Sequence, residues 1–303
     1  MPEIRHQSVD GFFAIFKPSG LSSATALNHV KHELHADKAG FLGTLDVAAM
    51  GVLPVAVGRA TRLIAYLPAT PKEYVGELVL GMRTVTDDTQ GAIVARCATG
   101  GLYEASIVEA MESVAARVSQ VPPHVSAKHR EGVRGYTAMR QRGELLDFEP
   151  QPVVVHTLLV LLHRTVDGGR RVHFRMTVAP GFYVRSFCRD VGDELGVGAC
   201  MGSLVRTRAH GYGVTQAMAL SKLARRVADG DYSFVSSGEA NPALLGTLPR
   251  LELSELQADA FRHGLHVVLG VPDAEAALVY TANEFLGVAR VDGGTIRPLR
   301  VMM

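Results

Sequence analysis

Between residues 171 and 195 the hydrophobic pattern changes from a period of two to a period of three to four. The apolar residues of segment 172–178 alternate with polar or charged ones, which predicts a strand with one buried face. The apolar residues of segment 184–195 then recur at helical spacing. A strand that runs directly into a helix restricts this part of the chain to a fold that mixes both elements.

The rest of the first 230 residues mixes the two elements without the regular strand–helix repeat of a doubly wound sheet. The spacing of apolar residues predicts helices over 22–34 and 107–118, a strand over 74–80 and a buried strand over 153–162. Hairpin-like strand pairs of this kind favour an α+β fold. We therefore expect a mixed, mainly antiparallel sheet flanked by helices.

A change in composition divides the chain near residue 250. Residues 229–250 are polar and loop-like, which predicts a linker. The short apolar segments 267–269, 277–280 and 285–291 beyond it are typical of strands. We expect a main domain over 1–249 and a small β-rich domain over 250–303. The small domain is too short to build a large core alone, so we expect it to pack on the main domain.

Cysteine usage and hydropathy exclude several classes of protein. Cys97, Cys188 and Cys200 are far apart and form no CxxC pair, so neither a disulfide framework nor a thiolate zinc site is expected. The longest apolar run, 152–162, is well short of the roughly 20 residues that span a bilayer. A charged amino terminus argues against a signal peptide. We expect a cytoplasmic protein with no membrane contact.

Basic residues are concentrated in two segments, although 31 basic and 30 acidic residues give a net charge of only +1. Segment 127–142 holds five basic residues and one acidic residue, and segment 195–228 holds five basic residues and no acidic one. Together they could form a face that follows a phosphate backbone. The alternative is ordinary solvated helix and loop surface.

Common catalytic and cofactor signatures are absent from the sequence. It contains no GxxxxGK[ST] phosphate loop, no HExxH and no GxSxG. His29, His32 and His35 have a metal-like spacing, but no cysteine or carboxylate pattern completes a site. We therefore expect neither a metal nor another cofactor.

Asp46 stands in a glycine-bracketed stretch of small and apolar residues, 40–61. Such an aspartate is commonly a turn residue or a helix N-cap. The functional alternative is a carboxylate in a partly dry pocket, where it could act as a nucleophile or base. The residues alone leave both possibilities open.

Six segments in the same order resemble the motifs of the TruB family of tRNA pseudouridine synthases. The central one, GFLGTLDVAAMGVLPVAVGRAT, is similar to the family's GHxGTLDPxAxGVLPxxxGxAT, and KEYVGELVLGMRTVTDDTQG is similar to its KxYxxxxxLGxxTDTxDxxG. The others are FKPSGLSSATALNHVK, VPPHVSAKHREGVRGY, GFYVRSFCRDVGDELGVGA and LVRTRAHGY. Six colinear blocks make the resemblance specific.

The resemblance implies the pseudouridine synthase fold, a small C-terminal PUA-like RNA-binding domain and no cofactor. It implies an isomerase that converts uridine 55 in the TΨC loop of tRNA, with the base flipped out of the T arm. It assigns Asp46 as the catalytic aspartate, Arg185 as its charge partner and Tyr74 as the active-site tyrosine. A guanidinium beside a carboxylate favours its charged form.

The resemblance and the two basic segments also indicate which residues contact RNA. Substrate-binding residues are expected at Lys17, Tyr183, Leu204 and Phe41. From the two basic segments, we expect contacts with the RNA backbone at Lys128, Arg130, Arg134, Arg206 and Arg208. The substrate partner is the T-arm stem-loop of tRNA, and we expect a monomer that needs no protein partner.

Several positions depart from the family's pattern. Phe41 and Leu42 stand where histidine and threonine are usual, Val47 where proline is typical, and Val205 where the family has an arginine. His124 and Val125 replace the usual residues before Ser126-Ala127, and a common tyrosine is lost there. RNA affinity or target choice could differ as a result. Two alternatives stay open. One is a synthase acting on another RNA stem-loop or in a guide-RNA particle, and the other is a non-catalytic RNA-binding or RNA-folding protein on the same scaffold.

Overall fold

The computed structural model describes residues 9–126, 129–130, 133–134, 146–166, 169–237, 244–282 and 284–302. Two short 3-10 helices lie in these ranges, over Gly58–Tyr66 and Val214–Gln216. The α-helices of the described ranges are α1 Ser23–Glu33, α2 Glu104–Ala115, α3 Val184–Glu194, α4 Leu220–Ala228 and α5 Glu255–Arg262.

Strands make up most of the remaining structure. They are β1 Gly11–Lys17, β2 Ala39–Phe41, β3 Met50–Val57, β4 Lys72–Leu80, β5 Met82–Thr84, β6 Ile93–Arg96, β7 Ser119–Gln120, β8 His129–Arg130, β9 Val133–Arg134, β10 Gln151–Pro152, β11 Val155–Val166, β12 Gly169–Val178, β13 Ala199–Ala209, β14 Tyr212–Gly213, β15 Met218–Ala219, β16 Arg250–Glu252, β17 Val267–Val268, β18 Ala274–Thr281, β19 Glu284–Asp292 and β20 Thr295–Val301.

A nine-stranded sheet forms the centre of the molecule. Its strand order is β11-β12-β4-β13-β3-β1-β15, with β14 paired to β13 and β2 paired to β3. Neighbours are antiparallel except for two parallel pairs, β13 with β3 and β1 with β15. This confirms the predicted α+β class with a mixed, mainly antiparallel sheet.

The alternation predicted over 172–178 is present in β12. Its apolar residues Val172, Phe174, Met176 and Val178 are all buried in the main core. The prediction of a buried strand over 153–162 is wrong in one respect. Strand β11 is the edge of the sheet, and its Leu159 is 56% exposed because no strand or helix among the described residues covers that side.

Helices α1 to α4 pack on one face of the central sheet. They contribute buried residues to a core that includes Phe13 and Ile15 of β1. Helix α1 begins where the sequence predicts, because the Ser22 side chain accepts a hydrogen bond from the Thr25 backbone N–H and caps the helix. Helix α2 ends before the predicted residue: Val118 lies beyond it and is 80% exposed.

The opposite face of β1 and β3 is covered by a second, five-stranded sheet of order β16-β18-β19-β20-β17. Residues of both sheets share one apolar cluster that includes Phe12, Val52, Tyr280 and Val288. The described part of 229–250, predicted as a linker, is packed rather than free. The ring of Phe234 lies 5.1 Å from that of Phe13, Ser236 pairs with Phe12 through the backbone, and Leu244 and Leu245 are buried.

The parallel contact between β3 and β13 depends on a glycine. Gly51 has φ +116°, and a Cβ built on it would lie 2.3 Å from the Arg206 backbone oxygen. Only glycine fits this close approach. Strand β3 therefore lies against β13 directly beside the loop that carries Asp46. No helix in the described part of the chain is long and apolar enough to cross a membrane.

Candidate active site

Asp46 lies in the loop between β2 and β3, and the start of α1 fixes the position of that loop. The Ser23 hydroxyl donates to the Leu45 carbonyl at 3.0 Å and accepts from the Leu45 N–H at 2.9 Å. The Gly20 N–H donates to the Val47 carbonyl at 2.8 Å. The residue before the aspartate and the residue after it are therefore both held by segment 17–23.

Lys17, the first residue of this segment, stabilises it through its side chain. Its side chain is fully buried, and its Nζ donates to the carbonyls of Pro18 at 2.9 Å and Leu21 at 2.7 Å. Burial lowers the pKa of the Lys17 ammonium to about 8, with the charge of Asp46 opposing this shift. The predicted substrate contact of Lys17 is thus corrected: the ammonium is enclosed and bonded to the protein's own carbonyls.

Arg185 and Asp46 form a two-pronged ion pair. Arg185 Nε donates to Asp46 Oδ2 at 2.8 Å, and Nη2 donates to Oδ1 at 3.1 Å. The arginine side chain is 5% exposed, whereas the aspartate side chain is 41% exposed. The pair is therefore anchored on the arginine side and open on the carboxylate side, so the carboxylate can meet a ligand.

The third nitrogen of Arg185 is also hydrogen-bonded. Its Nη1 donates to the backbone carbonyls of Thr86 at 3.0 Å and Val125 at 2.9 Å. Burial opposes the charge of the guanidinium, but Asp46, with Asp88 and Asp87 behind it, more than offsets this, so the pKa of Arg185 is raised above its usual value. Arg185 is a permanently charged, rigid support for the Asp46 carboxylate.

Beside Asp46 lies a cavity of about 180 Å³. This is smaller than the roughly 300–1,000 Å³ of pockets for drug-sized ligands, and it suits a single planar ring. Four of the predicted site residues, Asp46, Tyr74, Tyr183 and Leu204, line this one cavity. Phe41 does not belong to its lining; it is half-buried against the main core, and its contact with substrate stays a prediction.

Tyr74, in the wall of the cavity, is paired with Arg206, which does not belong to the lining. Burial raises the pKa of the Tyr74 hydroxyl, and the charge of Arg206 and a hydrogen bond from it oppose that rise. Arg206 is fully buried, and it donates to the backbone carbonyls of Val52 at 2.8 Å, Thr44 at 2.9 Å and Gly43 at 3.2 Å. The predicted role of Arg206 as a surface phosphate contact is therefore wrong, because its donors hold the Asp46 loop instead.

Tyr183 is fixed by a side-chain amide. Gln120 Oε1 accepts from the Tyr183 N–H at 2.9 Å, and Gln120 Nε2 donates to the Tyr183 carbonyl at 3.1 Å. Burial raises the pKa of the Tyr183 hydroxyl, with a hydrogen bond from Ser126 opposing the rise. The ring therefore presents a neutral hydroxyl at the wall of the cavity, immediately before the start of α3.

Lys72 is a cavity-lining residue to which the sequence interpretation assigned no role. It stands two residues before Tyr74 in β4, so both side chains lie on the same face of the strand. Burial, and then the charge of Arg206, lower the pKa of the Lys72 ammonium to about 8. The pairing of Lys72 with Tyr74 at this spacing was the signal that could have drawn attention to it.

The depressed pKa of Lys72 leads to a stability prediction. An ammonium with a folded pKa of about 8 and an unfolded value of 10.5 destabilises the fold below pH 8, and the penalty disappears as pH rises towards 10.5. Lys72→Met should therefore unfold with a free energy larger by about 1–3 kcal/mol at pH 7, at about 1.4 kcal/mol per pKa unit. Urea unfolding at pH 7 and pH 10 measures this, and the advantage should shrink at pH 10.

Lys31→Met, which removes an exposed lysine of α1, is the matched control and should show no such pH-dependent difference. A gain for Lys72→Met that is equal at both pH values would contradict the buried charge as its cause.

Four other residues were predicted to contact the RNA backbone, and their contacts stay predictions. Lys128 lies outside the described residues. Arg130 and Arg134 belong to the paired strands β8 and β9. Arg208 is exposed on β13, where it pairs in register with Glu73 of β4. Among the described residues, no group of three histidine, cysteine or acidic side chains is arranged to hold a metal ion.

Comparison with solved structures defines the class of the protein. A Cbf5-Nop10-Gar1 complex contains a chain that superposes with a TM-score of 0.69 at 25% identity, covering 100% of this chain and 88% of that chain. A chain of an H/ACA RNP bound to a substrate RNA containing 2′-deoxyuridine superposes with a TM-score of 0.66 at 23% identity, covering 97% and 85%. The fold is that of the pseudouridine synthases.

Sequence comparisons are more specific. Residues 31–184 match the TruB family pseudouridylate synthase N-terminal domain, and residues 249–302 match the C-terminal domain of pseudouridine synthase II TruB. The tRNA pseudouridine synthase B of Synechococcus sp. strain CC9311 is 42% identical over 69% of each chain. That of Aromatoleum aromaticum is 35% identical over 99% of this chain and 96% of its own. The chain belongs to the TruB family of pseudouridine synthases, as its motifs predict.

Proposed function

We propose that this protein converts a uridine of tRNA, at position 55 in the TΨC loop, to pseudouridine. The observation that carries the proposal is the Asp46 carboxylate, gripped at both oxygens by buried Arg185 yet 41% exposed beside a ring-sized cavity. The names of the relatives, tRNA pseudouridine synthase B, supply the substrate class.

The reaction explains why these residue types suffice. The N-glycosidic bond of uridine breaks, the base turns, and a bond forms between the sugar carbon and a ring carbon, whose proton moves to the freed nitrogen. Atoms and electrons balance without an outside oxidant, reductant or group donor. Asp46 acts as the nucleophile or the base, and it must be ionised for either role. Arg185 holds the Asp46 carboxylate beside the cavity through two hydrogen bonds.

A uracil inside a folded RNA loop must leave its stack to reach Asp46. An extruded base loses stacking energy, which an aromatic and apolar pocket offsets. Tyr74 and Tyr183 supply rings, and Leu204 supplies an apolar wall. We place the base among these three side chains, with the Tyr74 hydroxyl available for proton transfer.

Tyr74→Phe should slow turnover by about 100-fold, in the range of general acid–base contributions, while RNA affinity stays within a few fold. The ring that stacks on the base is kept, and only the hydroxyl and its hydrogen bond from Arg206 are lost. Single-turnover kinetics and a binding titration on the same RNA separate the two effects. A variant that is fully active would remove the hydroxyl from the mechanism.

We place the catalytic domain in residues 1–249 and an RNA-binding, PUA-like domain in residues 250–303. RNA-backbone contacts are proposed for Arg208 and for the segment that includes Lys128, Arg130 and Arg134. We further propose that the protein works as a monomer in the cytoplasm. Gel filtration with light scattering, with and without tRNA, tests the monomer.

The test of the function is to map pseudouridine in tRNA transcripts incubated with the purified protein. The expected result is one modified site, at uridine 55, and none in a matched transcript with cytidine at that position. Modification of a different stem-loop in total RNA, with none at uridine 55, would replace the substrate but keep the enzyme class. Binding without any modification would favour a non-catalytic RNA-binding protein.

A further inference from the structure

Lys72 is the charged group of the cavity that the proposed chemistry leaves without a partner. Both oxygens of Asp46 are occupied by Arg185, and the donors of Arg206 are directed at backbone carbonyls. No described residue accepts a hydrogen bond from the Lys72 ammonium or forms an ion pair with it. A partly buried cation with no counter-charge is costly to the fold, which indicates that a ligand supplies the counter-charge.

The ammonium is placed at the cavity wall rather than behind it. A Cβ built on Gly43 would lie 3.1 Å from the Lys72 Nζ, so the nitrogen borders the Gly43 backbone at the start of the loop that carries Asp46. Gly43 has φ +83°, a conformation that favours glycine, and it leaves the Nζ unobstructed on that side. Lys72, Tyr74 and Asp46 thus face one shared space.

Charge identifies the part of the substrate that belongs there. Uracil is neutral, so a base in the cavity cannot neutralise an ammonium. Every nucleotide, however, carries a phosphate on each side of its sugar, within reach of the wall of the pocket that holds its base. A lysine ammonium is a compact point charge that binds phosphate well. The guanidinium of Arg206 adds positive charge close to it.

We propose that the Lys72 ammonium binds a phosphate that flanks the nucleotide whose base enters the cavity. This contact positions the sugar against Asp46, and it makes extrusion of the base depend on the backbone as well as on stacking. Lys72 is a positioning and binding residue here, distinct from the groups that act on the glycosidic bond. The inference rests on the proposed function, because it takes the same cavity as the site of the flipped base.

The test combines protein variants with RNAs that lack one backbone charge. A T-arm stem-loop is made with a neutral methylphosphonate on the 5′ side or on the 3′ side of the target uridine. Lys72→Met should raise KM by roughly 10-fold or more and leave kcat within a few fold. One of the two methylphosphonates should cost wild-type protein the same factor, and it should cost Lys72→Met almost nothing further.

Three controls accompany this experiment. Lys72→Arg should restore most of the affinity because it keeps the charge. Lys31→Met removes an exposed lysine of α1 and should behave as wild type. In a salt titration, Lys72→Met should lower the log–log slope of affinity by about 0.7, the value for one phosphate on a single strand. The proposal would be overturned if, for each methylphosphonate, its effect on affinity is the same in Lys72→Met as in wild-type protein. Lys72 would then contact neither phosphate.

The two proposals fail in different ways. If wild-type protein forms no pseudouridine in the unmodified stem-loop, the proposed function is wrong. Binding titrations with the same RNAs then still show whether Lys72 and one phosphate are coupled. If wild-type protein is active and Lys72→Met has an unchanged KM, the function stands and only the phosphate contact is lost.

Discussion

Asp46→Asn should abolish pseudouridine formation, with a loss of at least about 1,000-fold in single-turnover rate. Asparagine has nearly the same shape but no negative charge, so it can neither attack nor accept a proton as the carboxylate does. Its NH₂ group would also face one donor of Arg185, where Asp46 now accepts hydrogen bonds at 2.8 and 3.1 Å. The measurement is pseudouridine formed per enzyme molecule in a tRNA transcript.

The same variant should remain folded and bind RNA within a few fold of wild type, because the Asp46 side chain is 41% exposed and contributes little to the core. Asp37→Asn, an exposed aspartate outside the cavity, is the matched control and should keep full activity. Turnover that survives in Asp46→Asn would refute the assigned role of the carboxylate.

Arg185→Met should be inactive, and it should be less stable than Asp46→Asn. Methionine leaves the Thr86 and Val125 carbonyls without the donor they now have at 3.0 and 2.9 Å. An orphaned buried polar group costs about 1–3 kcal/mol, so we expect the unfolding free energy to fall by about 3–5 kcal/mol. Urea unfolding measures this loss, and pseudouridine mapping measures the loss of activity.

Two further variants separate charge from geometry in this prediction. Arg185→Lys keeps the charge but cannot reach Asp46 and both carbonyls at once, so its activity should be low and its stability intermediate. Arg225→Met removes an arginine whose side chain is 87% exposed on α4, and it should leave the unfolding free energy nearly unchanged. An Arg185→Met protein as stable as wild type would show that the pair is not a structural support.

The sequence predicted the class of fold because the sheet and helices carry clear hydrophobic periods, as in β12 and α3. It also predicted four residues of the cavity, since the motif around each one is specific. It did not show where a side chain's partners lie. The donors of Arg206 reach carbonyls more than 150 residues away in the chain, so an arginine in a basic segment resembled a surface contact.

Lys17 and Lys72 both show that the sequence does not predict which lysine reaches the cavity. Lys17 stands in a recognisable motif and was expected to contact substrate, yet two nearby carbonyls enclose its ammonium. Lys72 stands in an equally recognisable motif and received no role, yet it lines the cavity. Which lysine is enclosed and which is open depends on the packing of β1 against β3 and of β4 against β13, and no local pattern encodes that.

The apolar cluster shared by the two sheets packs them directly against each other. Phe12 and Val52 of the large sheet are fully buried there, and Tyr280 and Val288 of the small sheet cover them. Deleting the chain after residue 249 would expose that apolar face of β1 and β3 to solvent, and we expect the truncated protein to aggregate. Heating should accordingly melt both sheets in a single cooperative transition, and the orientation of the small sheet relative to the pocket is set once, at folding.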